Sequence, residues 1–253
     1  MLDLTIVALA SLLAGFIDAV AGGGGLVLTP ALFSTFPQAV PATLMGSNKA
    51  AAIWGTAWAT RQYVKRVSLP WRRLMPAAVL AGLGSFTGAW VLTLANPDGL
   101  RKALPLILLA VFVYTLAKKE LGRDHTPRYT GRKEAAVAGG IALVVGFYDG
   151  FFGPGTGSFF VFLFVRVLGY DFLHASATAK LMNLLTNAFA IALFASKGYI
   201  WWHVAAVMAV TNVAGSLAGT RLALKHGAGF VRGVFVLVVG ALILKTAWDA
   251  FVR

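Results

Sequence analysis

The sequence predicts an all-helical, polytopic membrane protein built from two related halves. Three observations support this fold class: the chain is strongly apolar, its apolar segments approach membrane-span length, and its pattern repeats at an offset of 131 residues. Of the 253 residues, 58% are hydrophobic and 12% are charged, whereas soluble domains are about half apolar and a quarter charged. The mean hydropathy of +0.78 therefore favours a membrane protein over a soluble one.

The repeat is visible both in motifs and in single residues. The stretch GFIDAVAGGGG that begins at Gly15 returns as GFYDGFFGPGTGS from Gly146. The matched residues include Asp18 with Asp149, Gly22 with Gly153, Lys49 with Lys180, and Gly84 and Gly88 with Gly215 and Gly219. Duplicated apolar halves with matched Gly/Pro interruptions are typical of secondary transporters. We expect one transmembrane domain over 1–253, with a first copy 1–117, a cytoplasmic linker 118–134 and a second copy 135–253.

Each half divides into five apolar segments, and helix is expected throughout because backbone in lipid must satisfy its own hydrogen bonds. The segments are 4–21, 25–37, 42–60, 73–95 and 100–117 in the first half, and 135–152, 156–169, 172–196, 201–223 and 230–250 in the second. Segment 156–169 would make about 21 Å of helix against a hydrocarbon core of roughly 30 Å. We therefore expect short or re-entrant helices at the glycine-rich breaks, and about eight to ten membrane segments. Residues 2–21 lack a basic leader, which predicts a retained span.

The segment pattern allows two arrangements of the halves. If the first two segments form two crossings, or a hairpin that returns to its own side, the second half is inverted; if they form one broken span, the halves are parallel. Basic residues favour cytoplasmic loops. With loops 61–73 and 118–134 inside, only the inverted arrangement also places Arg221, Lys225 and Arg232 inside. The charges thus favour an inverted repeat with both termini outside the cytoplasm.

The formal net charge of +13 does not indicate nucleic-acid binding, because the basic residues cluster in short loops and form no basic face with interleaved aromatics. The chain has no cysteine, which excludes disulfides and thiolate metal sites. We expect no cofactor, no metal ion and no nucleic-acid partner. The sequence leaves the oligomeric state open, a homo-oligomer included.

The two glycine-rich breaks are candidate substrate-binding elements. Neither has the lysine that a phosphate-binding loop needs. In a transporter, such a break unwinds a helix at membrane depth, so that free N–H groups and a new helix N-terminus face an anion. The alternative is a tight turn that needs glycine only for its dihedral angles. The candidate residues in these breaks are Gly22, Gly23, Gly24, Gly25, Gly153, Gly155, Thr156 and Gly157.

The two matched lysines are the strongest individual candidates for substrate binding. Lys180 shares one helix face with Ser176, Asn183 and Asn187, at spacings of four, three and four. A charge inside a membrane segment is costly unless it faces a cavity or a partner. Two alternatives remain: the lysines snorkel to an interface, or they form permanent structural pairs with aspartates. The predicted substrate-binding side chains are Lys49, Lys180, Ser47, Asn48, Asn183 and Asn187.

Asp18 and Asp149 precede the glycine breaks and are candidate coupling residues. A carboxylate here can take up and release a proton and so couple substrate movement to a proton gradient. The alternative is that each carboxylate accepts hydrogen bonds from the unwound backbone that follows it.

The motifs GFYDGFFGPGTGSFF and ATAKLMN, with GGGGLVLTP and SNKAAA in the first half, resemble the TauE/SafE family of membrane transporters, especially its YfcA-like members. The resemblance covers essentially the whole chain. It implies a multi-pass protein of the bacterial cytoplasmic membrane that moves sulfite, sulfonates or related organosulfur or organic anions. The predicted function is therefore a secondary transporter of a small anion. An anion channel is the alternative within this class, and an intramembrane enzyme is the alternative outside it, although the chain lacks a recognisable catalytic set.

Overall fold

The computed structural model describes residues 2–96 and 125–226, together with Leu106, Leu109 and Ala110. Within this part the chain forms α-helices and no strand. The helices are α1 (Leu2–Ala21), α2 (Gly25–Thr35), α3 (Pro41–Val64), α4 (Trp71–Leu94), α5 (Gly131–Phe151), α6 (Thr156–Leu163), α7 (Phe172–Ser196) and α8 (Trp202–His226), and a π-helical turn, Phe164–Leu168, continues α6. They correspond to eight of the ten predicted segments. Segment 230–250 and nearly all of 100–117 lie outside the described residues, as do residues 118–124 of the linker.

Five of the described helices, α1, α4, α5, α7 and α8, are long and apolar enough to cross a membrane. This confirms the prediction of an all-helical protein with several membrane spans. At 24 residues α3 also has sufficient length, since it extends over about 36 Å. Its sequence is less apolar than those of the five spans, and most of its polar side chains point into the protein, where Ser47, Asn48 and Lys49 are buried.

Two short helices follow the glycine-rich breaks, as the sequence predicts. With 11 residues, α2 is about 16 Å long, roughly half of the hydrocarbon core. The chain turns at Gly22 and Gly153, whose φ angles of +74° and +88° lie in the left-handed region that favours glycine. The two turns meet, because Ser158 N–H donates a hydrogen bond of 3.1 Å to the oxygen of Gly22. Two half-length helices thus begin at adjacent points inside the bundle.

The closest helix contacts join the first copy of the repeat to the second. Helix α4 packs on α5, and α1 packs on α8. A Cβ atom at Gly84 would overlap the carbonyl oxygen of Leu143, and one at Gly215 would overlap that of Leu12, a contact shifted by the same 131 residues. Glycine lets two backbones approach this closely. The predicted Gly-x-x-x-Gly motifs therefore form helix–helix contacts.

One end of the bundle is held together by polar contacts between separate elements. The last four residues of the predicted linker, 131–134, form the first turn of α5. Glu134 is buried there, pairs with Arg73 at 2.6 Å, and accepts a hydrogen bond from the hydroxyl of Tyr170. Thr126 N–H donates to the oxygen of Gly169 at 2.9 Å. The starts of α4, α5 and α7 therefore lie at the same end of the molecule.

Candidate functional site

A cavity of about 50 Å³ lies where the two glycine turns meet α3 and α7. Its wall contains thirteen of the sixteen predicted substrate-binding and coupling residues: Asp18, Gly22, Gly24, Gly25, Asn48, Lys49, Asp149, Gly153, Gly155, Thr156, Gly157, Asn183 and Asn187. The fold therefore brings together residues from four segments that are distant in sequence. Their role in binding stays a prediction.

Lys49, on α3, forms a buried ion pair with Asp149 near the end of α5. The ammonium nitrogen lies 2.6 Å from a carboxylate oxygen, and the two side chains are 5% and 7% exposed. The ammonium group also donates to the side-chain oxygen of Asn187 at 3.4 Å, and the hydroxyl of Ser85 lies 3.5 Å from the Asp149 carboxylate. A buried charge needs such partners, since leaving it unpaired is strongly destabilising.

Lys180, on α7, pairs in the same way with Asp18 on α1. The nitrogen lies 3.2 Å from a carboxylate oxygen and also donates to the main-chain oxygen of Asp18. Lys180 is 3% exposed, but the Asp18 side chain is 21% exposed. The hydroxyl of Thr56 donates to Asp18 at 3.4 Å. The distance in this pair is longer than in the first, and its aspartate is more exposed.

The two ion pairs correspond residue for residue at the offset of 131. Asp18 and Asp149 are equivalent, and so are Lys49 and Lys180, but each aspartate pairs with the lysine of the other copy. Both ammonium groups end on carboxylates inside the protein, so neither lysine extends to a membrane interface. Of the alternatives for the lysines, snorkelling thus disagrees with the structure, whereas pairing with the aspartates agrees with it.

The polar face predicted on α7 is buried along its whole length, and two of its atoms lack partners. Ser176, Lys180, Asn183 and Asn187 are each less than 9% exposed. Within the described residues, the side-chain oxygen of Asn183 and the hydroxyl of Ser176 form no hydrogen bond. Buried polar groups usually have a partner, and Asn183 lies in the cavity wall. The side chain of Asn183 therefore has an unused hydrogen-bond acceptor beside the cavity.

Three predicted residues do not line the cavity. The ammonium group of Lys180 contacts Asp18, which lines the cavity, but Lys180 itself is not part of the cavity wall. Ser47 donates to the oxygen of Thr43 at 2.7 Å and accepts from Trp201 N–H at 2.9 Å, so its hydroxyl has a role in helix packing. Gly23 belongs to the first turn but is not part of the wall.

Several residues that complete the site are absent from the predicted set, although Thr56 shares the polar stripe of Lys49 in the sequence. Ser85 bridges Asp149 and the main-chain oxygen of Thr186, at 3.5 and 2.9 Å. Its equivalent, Ser216, donates to the oxygen of Gly55 at 2.8 Å. The recurrence of a serine beside matched glycines at an offset of 131 was a signal for this pair. Asn212 and Thr56 also line the cavity, and Asn212 has no polar equivalent, since Ala81 occupies the matched position.

A second group of ionisable side chains lies outside this site, at the start of α7. His125, Asp171 and His174 have ligand atoms within 4.8 Å of one another and could hold a metal ion; sequence analysis did not single out this group. Partial burial raises the pKa of Asp171, but hydrogen bonds from the His174 backbone and ring, and the charges of the two histidines, outweigh this and lower the pKa below its ordinary value.

Broken helices that meet around a polar cavity within a bundle of membrane spans are typical of membrane transport proteins. The family model for the sulfite exporter TauE/SafE matches residues 7–246. The chain belongs to this family, as its motifs predict, and it is a multi-pass membrane protein whose family implies a small-molecule substrate.

Named relatives extend over nearly the whole chain. The chain is similar to the probable membrane transporter protein YfcA of Escherichia coli K12, with 37% identity over 95% of this chain and 88% of the relative. It is also similar to the probable membrane transporter protein ORF9 of a Sinorhizobium species, with 34% identity over 95% of this chain and 90% of the relative. A probable membrane transporter protein of Haemophilus influenzae is 33% identical over 93% of this chain and 91% of the relative. No solved structure matches the chain.

Proposed function

We propose that the protein is a secondary transporter that carries a small anion across the bacterial cytoplasmic membrane. The substrate class is sulfite, a sulfonate or a related organosulfur or organic anion, which agrees with the name of the family. The observation that carries this proposal is the pair of buried lysines at equivalent positions, each held by an aspartate of the other copy that lines the cavity. The proposed site comprises the sixteen substrate-binding and coupling residues given above, thirteen of which line the cavity.

The charges of the site suit a small anion that competes with a carboxylate. Lys49 is both in the cavity wall and paired with Asp149, so a bound anion and Asp149 compete for the same ammonium group. Protonation of Asp149 removes the competing negative charge. One proton would then accompany each anion, which gives the proposed coupling a physical basis.

The size and lining of the cavity also favour a small substrate. A water molecule needs roughly 10–15 Å³ of such space, so the cavity of about 50 Å³ has room only for a small molecule, which suits an anion of the size of sulfite. The glycine turns contribute the starts of α2 and α6, whose partial positive charge favours an anion, although Leu26, Thr156 and Ser158 N–H already donate to the oxygens of Gly23, Gly153 and Gly22. A larger organic anion would require the site to open.

The proposed mechanism includes an inverted relation between the copies. Helices α3 and α7 are equivalent in the repeat, and their contacts indicate that they run in opposite directions. Gly46, near the start of α3, lies beside Phe194, near the end of α7. Thr56, in the second half of α3, and Lys180, in the first half of α7, both contact Asp18. Inverted repeats are the usual architecture in which one copy moves against the other around a central site. This arrangement lets the same site face each side of the membrane in turn.

The experiment is transport into proteoliposomes by two variants in which one ion pair is replaced by neutral side chains. Lys49→Met/Asp149→Asn and Lys180→Met/Asp18→Asn remove both charges of a pair, so that no unpaired charge stays buried. Uptake of sulfite and of a short alkanesulfonate is measured under an imposed pH difference. We expect the wild type to accumulate one of these anions, and both variants to lose at least tenfold in rate while their melting temperatures stay close to that of the wild type.

Lys197→Met is the matched control, because this lysine is exposed and donates to the hydroxyl of Thr93 at 3.0 Å. Its transport rate should equal that of the wild type. Unchanged flux in both neutral-pair variants would mean that the ion pairs only hold helices together. Flux that equilibrates the anion without accumulating it would identify a channel.

A further inference from the structure

A second cavity, of about 370 Å³, lies between the C-terminal ends of α3 and α8. Its size falls within the range of ligand pockets, roughly 300–1,000 Å³. Arg66, Arg221 and Lys225 line it, together with Gln62 and Thr220. In the part of the chain that the structure describes, none of these three cations forms an ion pair with a carboxylate. Three like charges around one space repel each other, and a bound anion relieves that repulsion.

A buried hydroxyl in the wall also lacks a partner. Thr220 is 2% exposed, and its side-chain oxygen forms no hydrogen bond within the described residues. A hydroxyl is both donor and acceptor, and leaving it unsatisfied is unfavourable. Thr220 is therefore an independent sign that a polar group occupies this cavity.

The repeat indicates that the fold itself does not require these charges. At the positions 131 residues away, most of the equivalent residues are apolar. The pairs are Trp58 with Phe189, Gln62 with Leu193, Thr220 with Ala89, Arg221 with Trp90, and Lys225 with Leu94. Of the three cations, only Arg66 has a basic equivalent, Lys197. The ends of α3 and α8 thus meet through polar side chains, whereas the equivalent ends of α7 and α4 carry mostly apolar ones. The preference of basic residues for cytoplasmic loops accounts for the charges, but not for the buried, unpaired hydroxyl of Thr220 beside them.

We propose that this cavity binds a phosphate group, and that the three basic side chains and the Thr220 hydroxyl hold it. Arginine forks match phosphate oxygens in pairs, and lysine adds a point charge. Basic pockets between helices at the end of a membrane span are suited to anionic lipid headgroups, and Trp58 and Leu217 add apolar surface to the same wall. The phosphate belongs to a phospholipid headgroup or to a soluble phosphate, and the two sources can be separated by experiment.

The test compares Arg66→Gln/Arg221→Gln/Lys225→Gln with a control that removes equal charge from exposed positions, Arg72→Gln/Arg132→Gln/Lys133→Gln. Purified protein is titrated with phosphatidylglycerol, with phosphatidylcholine and with inorganic phosphate, and bound lipid is counted by native mass spectrometry alongside melting temperature. We expect wild type and control to bind one phosphate source, and the cavity variant to bind it at least tenfold more weakly. A preference for phosphatidylglycerol identifies the headgroup; stabilisation by inorganic phosphate alone identifies the soluble anion.

Thr220→Val keeps the shape and all charges, so it tests the site without a risk to folding. If the hydroxyl contacts phosphate, this variant binds about three- to tenfold more weakly, which is the usual contribution of one hydrogen bond. If no ligand is present, removal of an unsatisfied buried hydroxyl raises the melting temperature and leaves lipid binding unchanged. That result, or equal binding by the cavity variant and its control, overturns the proposal.

Discussion

Asn183 and Ser176 lie on the same face of α7, and each has a buried polar atom without a partner in the described structure. Only Asn183 lines the cavity. Leaving such an atom unsatisfied costs about 1–3 kcal/mol, a penalty that a bound substrate can remove at Asn183. In the absence of substrate, a protein with such an unsatisfied group is therefore less stable than a variant from which the group has been removed.

Asn183→Leu should therefore change stability and transport in opposite directions. Without substrate, the melting temperature is expected to stay the same or rise, because the unsatisfied amide is gone, while the transport rate falls at least tenfold. Ser176→Ala is the control: it should stabilise in the same way and transport normally. A transport rate for Asn183→Leu equal to that of the control would contradict a substrate contact at Asn183.

Ser85 and Ser216 provide a second matched comparison between equivalent residues. Each donates one hydrogen bond to a main-chain oxygen of a neighbouring helix, but only Ser85 also lies within 3.5 Å of Asp149. Ser85→Ala and Ser216→Ala should each reduce the free energy of unfolding by about 1 kcal/mol. Only Ser85→Ala should also shift the pH dependence of transport, because it removes a neighbour of the proposed coupling carboxylate. Equal pH profiles for the two variants would argue against that role for Asp149.

The sequence identified most residues of the candidate site, but not how they pair. Lys49, Lys180, Asp18 and Asp149 were recognisable because charges in apolar segments are rare, and because the repeat marks them twice. The exchange of partners between the copies depends on how the helices pack, which no local pattern encodes. Ser85 was missed because a serine in an apolar helix is ordinary, and only its distance to Asp149 distinguishes it.

At the scale of helices, the sequence predicted the existence and type of all eight described elements. Segment 172–196 coincides with α7, whose start is capped by Asp171. Segment 42–60 was too short by one turn. It was ended before the polar residues Arg61 and Gln62, but the hydrogen-bonded helix continues to Val64. Segment 156–169 was expected as one helix, and its last turn is π-helical instead. This turn contains Arg166, the one charged residue of the segment, but a single charge does not predict a π-helix.

The glycines between α4 and α5 have a measurable role in helix packing. A Cβ at Gly150 would overlap the carbonyl oxygen of Ser85, and one at Gly88 would overlap that of Phe147, whereas a Cβ at Gly140, also on α5, meets nothing within 4 Å. In an ordinary helix, glycine to alanine is stabilising by about 1 kcal/mol. Gly140→Ala should follow this rule, while Gly88→Ala and Gly150→Ala should lower the melting temperature by several degrees. Equal melting temperatures for the three variants would mean that α4 and α5 are not in such close contact.

At the scale of the whole molecule, the proposed inversion fixes which ends face the same solution. Arg66, at the end of α3, and Lys225, at the end of α8, line one cavity, so these two ends lie together. The starts of α4, α5 and α7 are joined through Arg73, Glu134 and Tyr170. Basic residues concentrate at these ends. Because basic residues favour cytoplasmic loops, we expect these helix ends to face the cytoplasm.

The chain has no cysteine, so single cysteines can be labelled without background. Lys65→Cys, Lys133→Cys and Lys225→Cys should react with an impermeant thiol reagent only from the cytoplasmic side, and Gln38→Cys and Lys197→Cys only from the opposite side. All five positions are exposed. Labelling of Lys225→Cys from the outside would contradict the inverted arrangement in favour of parallel copies.

The contacts between α1 and α8 have a consequence for how the protein is made. Ser11 on α1 donates a hydrogen bond to Met208, 197 residues later in the chain. Ribosomes add roughly 5–20 residues per second, so the first span enters the membrane about 10–40 s before its partner exists. During biogenesis the face of α1 that carries Ser11 and Gly15 must therefore stay in contact with lipid, or with a component of the insertion machinery.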